Sequence, residues 1–380
     1  MKINCKQKIE LAQIIEQYGE EFISKHRLCP DQLKAMKAIR SCRTSALGGH
    51  VDECDKCGHQ KIAYNSCRNR HCNKCQYLKQ VVWIDKLKSN LPVCRYFHLV
   101  FTLPAQLHKL VYLNQRCCYD ILFKATAHTL NKVAANPKYL GAYTGAVSIL
   151  HTWGQSLTYH PHIHMIVPAG GISEDHTEWI ASQKKFFLPV RVLSKIYRGV
   201  VWSMLKKEIE RKRIKLPDGQ SVEHLKAQVY QKEWNVYAKK SMAGATSVVQ
   251  YLGRYTHRVA ISNDRISHLK DRRVSFKWKN YKRMLTNQVI TLDVMEFIGR
   301  FVRHILPTGF YKIRYSGLLA SANTKLMEIC RQLIGKQPHI AILDQLNSLE
   351  VLSIITGKDP RCCPKCQTGI LKHKTLIEPG

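Results

Sequence analysis

Thr158-Tyr-His-Pro-His-Ile-His-Met-Ile-Val-Pro-Ala-Gly-Gly171 is the stretch on which the reading of this chain turns. His162 and His164 stand two apart, and the run continues apolar through Met165, Ile166 and Val167. On a strand, residues i and i+2 share a face, so the two imidazoles project together while Ile163 points away. Pro161 fixes its own φ and biases His160 toward an extended conformation, which suits the entry to a strand. Two imidazoles on one face are most of a metal site in need of a further ligand. The plainer alternative is a histidine-rich strand without a metal.

The arm before it, Ala146-Val-Ser-Ile-Leu-His-Thr-Trp153, also reads as a strand. The connection between them is short, so the pair is expected to be an antiparallel hairpin. Folding back brings the end of the first arm beside His162 and His164, which leaves Gln155 and His151 as candidate third ligands. Gln155 is the weaker donor chemically. It is nevertheless preferred, because the residues between it and His162 fit a tight connection. His160 is close in sequence, but its direction is unreadable.

The charge narrows the partner. The 380 residues carry 60 Lys+Arg against 27 Asp+Glu, a formal net charge of +33, with 45% hydrophobic residues. That is a globular composition with a polyanion-binding excess, so nucleic acid is the expected partner. No segment approaches the roughly 18 consecutive apolar residues of a spanning helix. The N-terminus lacks a signal-peptide core, and a cytoplasmic protein with no membrane partner is expected.

Fifteen cysteines in such a chain point to metal rather than disulfides. Cys54-Asp-Lys-Cys57 and Cys72-Asn-Lys-Cys75 are two Cys-x-x-Cys knuckles, which together complete one tetrahedral structural zinc site. Cys42, His50, Cys67 and His71 lie in the same stretch, as a second site or as substitutes for an assigned ligand. Arg68, Arg70 and Lys74 make this module a plausible DNA-contacting element. Cys362-Cys-Pro-Lys-Cys366 is half a zinc site whose remaining ligands are not evident, His373 being one option.

Elsewhere, Leu11, Ile15, Tyr18 and Phe22 form a helical stripe, and Asp31 is placed to cap a second helix. A helix over 76–90, a buried strand over 95–104, a helix over 105–135 and a long helix over 191–213 follow. Ala245 to Arg258 reads as a short helix with Tyr251 and Tyr255 at i, i+4, surrounded by Arg254, His257 and Arg258. Gly253 costs such a helix about 1 kcal/mol. In Arg273-Val-Ser-Phe-Lys-Trp-Lys-Asn-Tyr281 an apolar face alternates with a basic one carrying Lys277 and Lys279, suited to a DNA backbone. Asp293-Val-Met-Glu296 resembles a capping box.

His151-Thr-Trp-Gly-Gln155, His160-Pro-His-Ile-His164 and Tyr251-Leu-Gly-Arg-Tyr-Thr-His-Arg258 resemble, in this order, the HUH superfamily of single-strand DNA nucleases. The resemblance is closer to the two-tyrosine rolling-circle transposases of bacterial insertion sequences, of the insertion sequence 91 type, and runs from about residue 20 to 320. It implies an α+β fold, an antiparallel sheet flanked by helices with an N-terminal helical and zinc-binding module and a small cysteine-containing tail. The expected division is 1–41 helices, 42–92 zinc module, 93–320 catalytic domain and 321–380 tail. It implies cleavage and rejoining of single-stranded DNA through a 5′-phosphotyrosine, with Tyr251 and Tyr255 as nucleophiles and Mg²⁺ or Mn²⁺ on His162 and His164, to which the hairpin reading adds Gln155. A replication initiator or relaxase would share this chemistry, and a noncatalytic zinc protein would leave both pairs idle.

Overall fold

The computed structural model describes residues 9–183, 187–242, 260–280 and 285–380. Strands β1 (Gly49–Cys54) and β2 (Gln60–Tyr64) form a hairpin in the N-terminal module, and β3 (Tyr96–Thr102), β4 (Gly145–Trp153) and β5 (Tyr159–Pro168) follow. A small ribbon, β6 (Gly170–Ile172) with β7 (Trp179–Ala181), comes next. Then come β8 (Val236–Met242), the meander β9 (Ile266–Lys270), β10 (Arg273–Asn280) and β11 (Leu285–Asp293), and finally β12 (Ile313–Gly317) and β13 (Leu371–Ile377).

The central sheet has the order β12-β4-β5-β3-β8, and every neighbouring pair is antiparallel. The histidine strand β5 therefore sits in the middle, with neighbours on both sides. Its odd-numbered residues Ile163, Met165 and Val167 are fully buried. They meet Phe97, Leu99 and Phe101 of β3 and residues such as Leu122 and Tyr197 from the Gln115–Ala134 and Val190–Glu210 helices. Each such side chain contributes about 1.5–3 kcal/mol by leaving water, so this face is the anchor of the fold.

The opposite face is divided along its length. At one end Tyr96, Val147, Ile149 and Ile166 pack against Leu87 and Leu91, the first of these on the Tyr77–Asn90 helix and the second just beyond it. The other end is polar and holds the histidines. A second core joins the start of the chain to its later third: Leu11, Ile15 and Phe22 share it with Phe276, Phe297 and Phe301. The Val294–Val302 helix that supplies the last two is N-capped by Asp293, whose side chain accepts from Met295 N–H; in place of the expected capping box, the Glu296 carboxylate accepts from Arg300.

Two local expectations are corrected. The helix over 105–135 is interrupted at Asn114, where φ is −127° and ψ is 43°. Asn114 donates to the Lys215 carbonyl and accepts from the Lys215 N–H, both at 2.8 Å. This tertiary tie, invisible to periodicity, breaks the helix. The second helix begins with Pro30 at its first position after Cys29. Asp31 therefore lies inside the first turn, and its carboxylate accepts from the Thr308 N–H at 3.1 Å and from the Thr308 hydroxyl.

Candidate metal centre and nucleic-acid interface

Register alone assembles the histidine cluster. His151 on β4 is directly opposite His162 on β5, and His98 on β3 is opposite Ile166, one step diagonal from His164. Cross-strand partners share a face, so three adjacent strands present four imidazoles to one patch. His162 and His164 face each other Nε2 to Nε2 at 3.1 Å. The ring nitrogens of His151, His162 and His164 all lie within 4.8 Å of one another.

The outer nitrogens of the pair are tied down. The His162 Nδ1–H donates to the His160 carbonyl at 2.6 Å, which leaves Nε2 as a bare lone pair. His164 Nδ1 lies 2.8 Å from His98 Nε2, with the two ring planes only 5° apart. If that proton sits on His164 Nδ1, its Nε2 is bare as well, and both lone pairs converge. Burial keeps the rings neutral. His162 is pushed down to about 3 by burial and then by His160, and His98 to about 4 by burial and then by Lys239. His164 is held well below its usual range by burial first and His151 second.

This donor set fits a divalent ion. Two imidazole nitrogens each about 2.0–2.1 Å from one ion are roughly 2.9–3.4 Å apart for right-angled to tetrahedral geometry, and 3.1 Å falls inside that interval. Of the two candidate third ligands, His151 is the one that the strand register brings to the pair. The β4–β5 pairing closes at Trp153 opposite Tyr159. Gln155 lies beyond it in the turn, where its carbonyl accepts from Arg265. His98, which composition and spacing did not single out, joins because strand register brings β3 alongside.

The zinc ligands also regroup. The set Cys54, Cys57, Cys72 and Cys75 is split between two clusters, one of Cys42, Cys67, Cys72 and Cys75 and one of Cys54, Cys57, Cys363 and Cys366. The cause is the β1–β2 hairpin. The Cys54–Cys57 knuckle forms its tip, whereas Cys42 and Cys67 flank its base, about 16 Å away at roughly 3.3 Å per residue. In the first cluster Cys67 and Cys75 sulfurs are 3.7 Å apart and Cys42 and Cys75 sulfurs 3.3 Å apart. His71 is no ligand there, since its Nε2 accepts from the Leu306 N–H at 3.0 Å. His50 instead faces Asp52 at 3.4 Å and the His373 ring at 5.8 Å.

The remaining site residues divide by position. Val274 and Phe276 of β10 are buried, and Lys277 and Lys279 on the alternate face are exposed. Tyr251, Tyr255, Arg254 and Arg258 lie outside the described residues. No helix among the described residues is long and apolar enough to cross a membrane.

A family model described as "Putative transposase" matches residues 145–326, which contain β4 and β5, and one described as "Transposase zinc-binding domain" matches residues 14–103. The chain is 42% identical over 372 residues to the putative transposase y4qJ of Sinorhizobium fredii, covering 95% of this chain and 93% of that protein. It is 29% identical over 321 residues to the transposase for insertion sequence element IS801 of Pseudomonas savastanoi pv. phaseolicola, covering 80% and 73%. Among solved structures, the conjugative relaxase TrwC in complex with oriT DNA aligns with 43% of this chain and 71% of its own, at 14% identity and a TM-score of 0.24. With both family models in place and identity sustained from end to end, the chain belongs to the insertion sequence 91 type of HUH transposases.

Proposed function

We propose that this transposase cleaves and rejoins single-stranded DNA by transfer of a phosphoryl group to Tyr251 or Tyr255, at a divalent-ion site formed by His151, His162 and His164. The observation that carries the reading is the convergence of these imidazoles, with His162 and His164 aimed Nε2 to Nε2 at 3.1 Å. A magnesium or manganese ion held there supplies positive charge to the non-bridging oxygens of a bound phosphodiester. Imidazole ligands favour manganese intrinsically, and cellular abundance favours magnesium.

A phenol with an ordinary pKa near 10 is a weak nucleophile at neutral pH, so its reaction depends on positioning and on charge neutralisation at the phosphate. In the proposed step the tyrosine oxygen bonds to phosphorus as the P–O3′ bond breaks. The phenolic proton is lost and the departing 3′-oxygen gains one. The products are a 5′-phosphotyrosine and a free 3′-hydroxyl. No water is consumed, so the reverse attack by a 3′-hydroxyl reseals the strand. A second tyrosine allows a second cleavage while the first strand end is still held.

His162 and His164 orient the phosphate side of the site, and the hydrogen bonds to the His160 carbonyl and to His98 keep their ligating nitrogens turned inward. Arg254, Arg258, Lys277 and Lys279 are assigned to the DNA backbone. The structural zinc of the N-terminal module holds the element that precedes the catalytic sheet. The test is the double variant Tyr251→Phe with Tyr255→Phe on a single-stranded oligonucleotide carrying a transposon end. Cleavage should vanish while DNA binding persists. Cleavage that continues in the double variant contradicts the assignment.

A further inference from the structure

We propose that Cys54, Cys57, Cys363 and Cys366 bind a second structural zinc ion, one whose ligands come from both ends of the chain and which clips the C-terminal strand onto the N-terminal module. Its thiols lie up to 312 positions apart in sequence, and two of them fall outside the segment matched by the zinc-binding family model.

The sulfur geometry is that of a metal site. Cys54 and Cys366 sulfurs are 3.7 Å apart, as are those of Cys57 and Cys363. A disulfide requires about 2.05 Å. Four thiolates each about 2.3 Å from a central zinc form a tetrahedron with edges of about 3.75 Å. The same 3.7 Å separation recurs between Cys67 and Cys75 in the other cluster. All four sulfurs of the cross-chain group lie within 4.8 Å of one another.

The backbone around the knuckles is shaped to hold thiolates. The Gly369 N–H donates to Cys366 sulfur at 3.3 Å, and the Thr368 hydroxyl donates to it at 3.6 Å. The two knuckles are also braced against each other, with Asp55 N–H donating to the Ile370 carbonyl at 3.1 Å and Ile370 N–H to the Asp55 carboxylate at 2.8 Å. Glycine is required at 369: a Cβ there would lie 2.3 Å from Cys54 sulfur and 3.0 Å from an Asp55 oxygen.

Packing leaves a task for the ion. The strand β13 that follows pairs with β1, Leu371 opposite Cys54 and Ile377 opposite Gly49. Yet Leu371 is the one buried non-cysteine residue in the cluster at this junction, and residues 372–376 are exposed. So small an apolar contact leaves little hydrophobic stabilisation to keep β13 docked. In minimal domains, structural zinc supplies that kind of stabilisation.

The experiment measures metal content of the full chain, purified under reducing conditions without chelator. Wild type should carry one zinc ion per chain more than Cys363→Ser with Cys366→Ser, which should keep its far-ultraviolet circular dichroism. Equal zinc content in the two proteins overturns the proposal. Should the variant fail to fold, cobalt-substituted wild type decides instead. Its thiolate-to-cobalt absorbance per chain should match two tetrathiolate sites, and absorbance for a single site refutes the inference. Amide hydrogen exchange of β13 should accelerate in the double variant; unchanged exchange removes the clip.

Discussion

Replacing His98 with leucine is expected to weaken the catalytic ion without dismantling the sheet. His98 is 2% exposed and lies 2.8 Å from His164 Nδ1. When His164 ligates through Nε2, its Nδ1 must carry the proton, and His98 is the acceptor. Leucine at 98 would remove that acceptor from a buried N–H, at a cost of about 1–3 kcal/mol. The metal-free protein escapes the cost by moving the proton to Nε2, where His162 lies 3.1 Å away. The penalty therefore falls on metal affinity, and 1.4–2.7 kcal/mol corresponds to about 10–100-fold. Manganese titrations of oligonucleotide cleavage, with direct measurement of bound manganese, should show half-saturation raised by that factor and activity recovered at high metal. His98→Gln, which restores an acceptor, should recover part of the affinity. An unchanged metal requirement in His98→Leu would refute the tautomer argument.

His151→Ala should abolish metal-dependent cleavage while Gln155→Ala retains it, as read by the same oligonucleotide assay; the reverse pattern restores Gln155 as ligand. Lys277→Ala with Lys279→Ala, both exposed, should lower the salt slope of single-stranded DNA binding by about 1.4, at roughly 0.7 per lost phosphate contact. Anisotropy across a salt series measures it. Phe297→Ala, at a fully buried ring 5.8 Å from Phe276, should destabilise the second core by about 3–5 kcal/mol in urea unfolding.

Stability should also fall on acidification. Burial pushes His304 down to about 4 and His71 to about 3. Both are used neutral: His304 accepts from the Thr152 hydroxyl at 3.1 Å and donates to the Leu157 carbonyl at 3.0 Å, and His71 accepts from Leu306. The unfolded chain takes up these protons below about pH 6.5 and the folded chain does not, so acid favours unfolding. Between pH 7.5 and 5.5 each should cost about 1.4 kcal/mol, and replacing His304 with glutamine should flatten the response in that window.

Much of the site was legible because it rests on local periodicity. His162 and His164 share a face by the two-residue repeat, and the short return from Trp153 to Tyr159 made the hairpin readable. What stayed hidden depends on register between distant segments. His98 meets His164 only because β3 pairs with β5 across 66 positions. Spacing within the hairpin left His151 and Gln155 both open, and only the register shows His151 directly opposed to His162. A Cys-x-x-Cys knuckle announces two thiolates but not their partners. The length of the β1–β2 hairpin, and the return of β13 to β1, decide which knuckles meet. Asn114 likewise ends a helix through a bond to Lys215 that no helical pattern encodes.

The most direct test of the account is to incubate the transposase with a 5′-labelled and 3′-labelled single-stranded transposon end, with manganese or with chelator, and to map any covalent adduct by mass spectrometry. The account predicts a metal-dependent adduct joining the 5′-phosphate of the downstream fragment to Tyr251 or Tyr255, with a free 3′-hydroxyl on the other fragment. Cleavage that leaves a free 5′-phosphate and no protein adduct, or an adduct on any other residue, would contradict it.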